Sequence, residues 1–312
     1  MVKRENIAYG VYNVAKAHIP RDLQIRPDLS SIPKTQQLKV VVWNVNGVRA
    51  LLRKRPEQLK QLWADTDVLG LLETRIAGQG LINLVQHELE LLLGKDPKFI
   101  WNSGTVKGYA GCVAIMRPNL ADRLESVCLG CFDDRQDNEG RCIRLRFKNT
   151  AIVIAYVPNS GMNLRRLNHR LAEWDPTLAR ICATYSAECK NGVILAADMN
   201  CAHRDQDIWN VESPAILKGA GTTPEERNSF QVCYLESGLF DTFPRMHPNL
   251  LGWFSYWSVR ARNRSKNRGL RLDYVLTDKK VNVIDAFILH EYADSGDHCP
   301  VGIVAQIDHC DI

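Results

Sequence analysis

Two adjacent polar residues, Asp297 and His298 in "SGDHCP" (295–300), separate the β-rich runs "VNVIDAFILH" and "PVGIVAQI". An acid beside a histidine ahead of a strand is either a hydrogen-bonded structural pair or part of a proton-transfer device. Other acids and amides sit at the ends of apolar runs: Asn44 and Asn46 in "VVWNVNG" (41–47), Glu73 in "LGLLETR" (69–75), Asp198 and Asn200 in "LAADMNC" (195–201). Asp273 lies inside the hydrophobic run "LRLDYVL" (270–276). A carboxylate in such a run is costly unless it is paired or holds a cation. Hard oxygen donors with one imidazole and no cysteine cluster suit Mg²⁺ or Mn²⁺ rather than zinc. Divalent-metal phosphoryl chemistry fits this set. The sequence has no HExxH or GxSxG, no Walker A loop and no GxGxxG, which leaves peptide hydrolysis, nucleotide-driven and hydride chemistry without support.

Positioning these residues falls to short β-rich runs that recur from Leu38 to the end. Strand alternation places Asn44 with Asn46, and Asp198 with Asn200, on shared faces; the plainer reading is that they begin turns. "VVWNVNG" and "LAADMNC" form a faint internal echo. Helical spacing shows in "PEQLKQLWA" and in "LRRLNHRLAEWDPTLARICATYSAE", where Pro176 should kink or restart the helix. Many strands with few helices between them suit an α/β fold of two mixed sheets packed face to face with helices outside. Residues 1–37 read as a largely irregular extension and 38–312 as a single domain.

The net charge of +5 suits a polyanionic partner without requiring one. "RARNRSKNRGLR" (260–271), directly after "WFSYW", sets cations beside aromatics and reads as a nucleic-acid groove, against a solvated basic loop as the bland alternative. Apolar runs shorter than ten residues argue against a membrane span. The ten irregularly spaced cysteines read as free thiols in a reducing compartment, and the lone "CLGC" (128–131) as structural. An intracellular, nuclear location is expected, with a mitochondrial one left open, and a monomer is expected.

In order along the chain, "WNVNGVRA", "LETR", "KGYAGCV", "DNEGR", "AYVPNSG", "RLNHRLAEWD", "ADMNCAH", "TPEER", "RSKNRGLRLDY" and "SGDHCP" resemble the endonuclease/exonuclease/phosphatase superfamily, and within it the exonuclease III type of apurinic/apyrimidinic (AP) endonuclease. The resemblance implies a four-layer α/β sandwich. It implies a Mg²⁺-dependent DNA repair enzyme (Mn²⁺ as substitute) that cleaves double-stranded DNA 5′ to an abasic site, leaving a 3′-hydroxyl and a 5′-deoxyribose phosphate. Side activities of 3′-phosphodiesterase, exonuclease or nucleotide-incision type go with it. The implied metal residues are Glu73, Asn46 and Asp297. His298, oriented by Asp273, would contact the phosphate or take a proton from water, and Asp198 is the other candidate base. Tyr156, Asn159, Asn44 and Asn200 would bind phosphate oxygens. Arg49, Lys54, Tyr109, Arg170 and Asn267 would grip DNA. Less specific DNases and retroelement-type endonucleases share this core, and a non-catalytic DNA-binding relative is a further alternative.

Departures from the family pattern occur at Leu72, where Gln is common, at Thr222, often aromatic, and at Met162, where one branch inserts Arg into DNA. Met can also wedge between bases. Leu270 stands where the family commonly has Trp. The implied abasic pocket of Tyr256, Trp257, Leu270 and Leu272 would be looser, and less discriminating between an abasic sugar and a nucleotide that keeps its base.

Overall fold

The computed structural model describes residues 24–94, 96–132 and 137–312; most of the expected irregular extension therefore lies outside the described residues. Among the described residues there are twelve strands: β1 (Gln37–Asn44), β2 (Val68–Leu72), β3 (Lys98–Asn102), β4 (Cys112–Met116), β5 (Leu124–Leu129), β6 (Cys142–Phe147), β7 (Ala151–Tyr156), β8 (Val193–Asp198), β9 (Phe240–Asp241), β10 (Asp273–Thr277), β11 (Val283–Ile288) and β12 (Val301–Gln306). They form two six-stranded sheets, ordered β11-β12-β1-β2-β4-β3 and β5-β6-β7-β8-β10-β9. Both are mixed. β1 runs parallel to β2 and antiparallel to β12. β8 runs parallel to β7 and antiparallel to β10. The echo seen in the sequence is therefore topological: β1 and β8 hold equivalent central places in the two sheets.

Side-chain alternation explains the layers. Val40 and Val42 of β1 face Ile152, Ile154, Ile194 and Ala196 of the second sheet in the core between the sheets. Val41 and Trp43 point the other way, beneath Leu59, Trp63 and Val85 of the helices Pro56–Ala64 and Gln79–Leu93. Val153, Leu195 and Ala197 likewise pack under Leu178 and Cys182 of the helix Asp175–Glu188. The result is helix, sheet, sheet, helix. At Gly70 a Cβ would come within 2.8 Å of Ile154 Cγ2, so glycine permits the close approach of the two sheets there.

The described part of the N-terminal segment straps the open edge of β11. Gln24 Oε1 accepts a hydrogen bond from the Ile288 N–H (3.0 Å), and Arg26 donates to Asp285 (2.7 Å) while stacking over Phe287. Covering an edge in this way removes a row of unpaired backbone groups.

Topology also concentrates the polar residues. The C-terminal ends of β1 and β8 lie beside the N-terminal ends of their antiparallel neighbours, since Val42 pairs with Val301 and Asp198 with Asp273. The segment 297–298 and Asp273 therefore arrive at the same edge of the sandwich as Asn44, Glu73, Tyr156 and Asp198.

Candidate active site

The turns after β1 and β8 are built alike. The Asn46 N–H donates to Asn44 Oδ1 (3.0 Å), and the Asn200 N–H donates to Asp198 Oδ1 (2.9 Å). In each case a strand-end side chain folds the turn by capturing the amide two residues on. Asn46 (φ 49°) and Asn200 (φ 45°) then adopt left-handed backbone, so the pleat does not extend to them. The shared-face expectation fails for that reason, and the turn reading holds. Glu73 is also left-handed (φ 55°), a conformation that costs a non-glycine residue and clusters at functional sites.

Asn44 bridges the two sheets: its Nδ2 donates to Asp198 Oδ2 (2.9 Å). Asp198, Asp273 and His298 are buried and bring candidate ligand atoms within 4.8 Å of one another. His298 Nδ1 lies 2.7 Å from Asp273 Oδ2. The Asp273 N–H is fixed by Ser255 Oγ (2.9 Å), and the His298 carbonyl accepts from Trp43 Nε1 (3.3 Å). Asp273 Oδ1 is buried and has no hydrogen-bond partner among the described residues. Burial lifts the Asp198 carboxyl, with the Asp273 charge adding to it, to about 7. Burial alone would lower the His298 pKa, but the charge of Asp273 and its hydrogen bond outweigh it and raise the imidazole to about 10. Burial, with Glu73 and Asp198 nearby, pushes the Tyr156 phenol up and keeps it protonated.

Two further groups flank this cluster. Asn46 Nδ2 donates to both Asp297 carboxylate oxygens (3.0 Å each), and Glu73 Oε1 accepts from Arg75 (2.7 Å). On the other side Asn159 Nδ2 donates to Asn200 Oδ1 (2.8 Å), and Asn200 Nδ2 donates to the Val157 carbonyl (2.9 Å). Tyr109, 39% exposed, accepts hydrogen bonds through its hydroxyl from Arg141 (2.9 Å) and Arg166 (2.5 Å). Arg49 and Lys54 are exposed on the helix Val48–Lys54, and Met162 projects into solvent from its loop (74% exposed).

Three expectations need correction. Arg170 is fully buried: its guanidinium donates to the Asn200 carbonyl (2.7 Å) and the Met199 carbonyl (2.5 Å), so it braces the turn after β8 instead of gripping DNA. It sits in a widened π-type turn, Arg170–Trp174, that turns both of its end residues inward. Asn267 is also buried, with Oδ1 accepting from Trp257 Nε1 (3.1 Å) and Nδ2 donating to the Gly252 carbonyl (3.1 Å). Trp257, 2% exposed, packs into the core between the sheets and not with Tyr256, Leu270 and Leu272. Tyr256, Leu270 and Leu272 do group together, with Ala202 and Ile208, and the Tyr256 ring lies 4.9 Å from that of His298.

Residues to which the quoted motifs assign no role complete the arrangement. Ser255 holds the start of β10, and Glu226, fully buried, accepts hydrogen bonds from Ser160 Oγ (2.5 Å) and the Gly221 N–H (2.7 Å). The T-x-x-E spacing of Thr223 and Glu226 was legible as a helix-capping signal; the longer-range bonds were not.

The chain is 33% identical over 274 residues to an exodeoxyribonuclease of Bacillus subtilis, covering 86% of this chain and 100% of that protein. It is 32% identical to a DNA-(apurinic or apyrimidinic site) endonuclease of Dictyostelium discoideum, covering 88% of this chain and 73% of that one. Its structure superposes on that of an AP endonuclease from Leishmania major with a TM-score of 0.79 at 25% identity, over 94% of this chain and 97% of the other. The model of the endonuclease/exonuclease/phosphatase family matches residues 41–298, from the first central strand to the site histidine, and the chain belongs to that family.

Proposed function

We propose that this chain is a divalent-metal-dependent AP endonuclease acting as a monomer on double-stranded DNA. It hydrolyses the phosphodiester 5′ to an abasic site, leaving a 3′-hydroxyl and a 5′-deoxyribose phosphate. The observation that carries the reading is the buried group of Asp198, Asp273 and His298 at the edge where both sheets end, tied across the sandwich by Asn44. Relatives named for apurinic/apyrimidinic-site cleavage support the substrate.

Each residue has a role in this reaction. His298, held positive by Asp273, donates to a phosphate oxygen and counters the charge that builds there. That leaves Asp198, whose carboxyl titrates near neutrality, as the group that takes the proton of the attacking water. The Tyr156 hydroxyl and the amides of Asn44, Asn159 and Asn200 supply further polar contacts to the phosphate.

The donor set at Glu73, Asn46 and Asp297 fits Mg²⁺, with Mn²⁺ as substitute. Two carboxylates that are only partly buried supply hard oxygens. Asn46 gives its amide nitrogen to Asp297, which leaves its amide oxygen for a cation. The Asp198, Asp273 and His298 group fits less well, because a protonated imidazole has no lone pair to give. When bound, the ion acts as a Lewis acid toward the phosphate.

The test is Mg²⁺-dependent cleavage of a duplex carrying one abasic analogue, with intact duplex and an inositol phosphate as controls. Incision of the abasic duplex alone, lost in His298→Asn, is expected. Equal cleavage of intact duplex would instead make the protein a less specific DNase.

A further inference from the structure

We propose that Glu226 is a positioning residue that fixes the separation of two phosphate-facing amides, Asn159 and Asn200, through Ser160 on one side and Arg170 on the other. The inference rests on the reading of those amides given above.

The Glu226 carboxylate is fully buried and accepts from three separate stretches of chain. Oε1 takes the Ser160 hydroxyl (2.5 Å) and lies 3.4 Å from Arg170 Nη1. Oε2 takes the Gly221 N–H (2.7 Å), the Thr223 N–H (3.2 Å) and the Thr223 hydroxyl (2.9 Å). A helix cap accounts for the Thr223 bonds, since Thr223 Oγ1 accepts from the Glu226 N–H in return (3.2 Å). It does not account for Ser160, Gly221 or Arg170. Burying a second charge beside Arg170 is costly unless both ions are well satisfied, and an uncharged Gln would cap the same helix.

Each tether ends next to a site residue. Ser160 follows Asn159, whose Oδ1 accepts from the Gly161 N–H (2.8 Å), so Glu226 pins the turn that carries Asn159. Arg170 spans from Glu226 to the carbonyls of Met199 and Asn200, and so holds the turn that carries Asn200. Asp175 supplies the second carboxylate to Arg170 (3.4 Å) and is itself held by Ser229 (2.7 Å) and Tyr234 (3.1 Å). The Gly221 backbone packs on the same turn: the Ala202 N–H donates to the Gly221 carbonyl (2.7 Å), and a Cβ at Gly221 would lie 3.1 Å from the Asn200 carbonyl oxygen. The bond between the two amides, 2.8 Å from Asn159 Nδ2 to Asn200 Oδ1, is thus set from behind by buried charges that do not touch substrate.

Ser160→Ala is the deciding variant, because it removes one hydroxyl and leaves the buried ions paired. With the full chain, Mg²⁺ and abasic duplex, it should lower kcat about tenfold while KM stays within about threefold. Asn159→Ala alone should lower kcat on the order of 10²-fold. In the double variant Ser160→Ala should cost nothing further, because the amide it positions is gone. General destabilisation would reduce the active fraction equally in both backgrounds and give additive losses. Glu226→Gln, which also reaches the Asn200 turn through Arg170, should keep part of its loss in the Asn159→Ala background. An unchanged kcat in Asn159→Ala would overturn the reading of the site and the inference with it. A loss in Asn159→Ala combined with an unchanged kcat or full additivity for Ser160→Ala overturns the inference alone.

Discussion

His298 Nδ1 and Asp273 Oδ2 lie 2.7 Å apart, and neither residue owes this contact to its sequence neighbours. Asp273 opens β10 in one sheet, and His298 precedes β12 in the other. Asp297, adjacent to the histidine in sequence, pairs instead with Asn46. The side-by-side acid and histidine thus serve different parts of the site. His298→Asn removes the imidazole and should lower kcat by at least about 10³-fold. Asp273→Asn keeps a hydrogen-bond partner but loses the charge, and should cost roughly 10²-fold. Single-turnover cleavage of abasic duplex measures both, and a larger loss from Asp273→Asn than from His298→Asn would contradict this ordering.

The same pair makes stability depend on pH. The folded-state pKa of His298 is raised from 6.5 to about 10, so its contribution is complete below the unfolded value and is lost as pH rises through about 10. Asp198, raised from 3.8 to about 7, also binds its proton more tightly when folded, and its contribution declines between those values. In chelator, the thermal midpoint should therefore fall from pH 5 to pH 10. His298→Asn should flatten the alkaline limb and Asp198→Asn the acidic one.

Glu73 carries the clearest expectation for metal. It sits in left-handed backbone, its carbonyl accepting from the Gly47 N–H (2.8 Å) just after Asn46, and Glu73→Gln keeps its shape while removing its charge. The Mg²⁺ concentration for half-maximal activity should rise roughly tenfold or more, with kcat at saturating metal falling less than in His298→Asn. Unchanged metal dependence would remove Glu73 from the donor set.

Leu270 is held by mutual backbone hydrogen bonds with Tyr256 (Leu270 N–H to Tyr256 carbonyl, 3.0 Å) and packs with Leu272, Ala202 and Ile208. An aliphatic wall beside Tyr256 constrains a guest less than a rigid ring would. Leu270→Trp should therefore sharpen the preference for an abasic nucleotide over one that retains its base. The ratio of kcat/KM on the two duplexes reads this directly, and an unchanged ratio would sink the idea.

Which parts of this architecture were legible follows from what a pattern can encode. Strands such as "VVVWN" and "AIVIAY" are unbroken β-branched and aromatic runs buried on both faces, and they read plainly. β3, β5 and β9 carry no such signal: β3 and β5 are edge strands with partly exposed faces, and β9 has two residues. The helix Gln79–Leu93 also went unread, although left-handed Gly78 and Gly94 bracket it. In the site, strand-end acids are visible because a carboxylate ending an apolar run is chemically out of place. The direction in which Arg170, Asn267 and Trp257 point is not visible, because a motif records identity while packing decides burial.

That distinction gives the last expectation. Lys54 is exposed on its helix, whereas Arg170 is paired with Asp175 and Glu226 in the interior. A surface cation that neutralises one phosphate releases about one counterion, so Lys54→Ala should reduce the log–log salt slope of duplex binding by about 1 and weaken binding alike on all sequences. Arg170→Met leaves two buried carboxylates without their counter-ion, a mechanism that typically costs about 3–5 kcal/mol. Its signature should be a lowered thermal midpoint with the salt slope unchanged. Titrations of catalytically silent protein (His298→Asn background) at several salt concentrations, run beside thermal melts, separate the two. A reduced salt slope in Arg170→Met would mean that the guanidinium reaches DNA after all, through a rearrangement of the turn it braces.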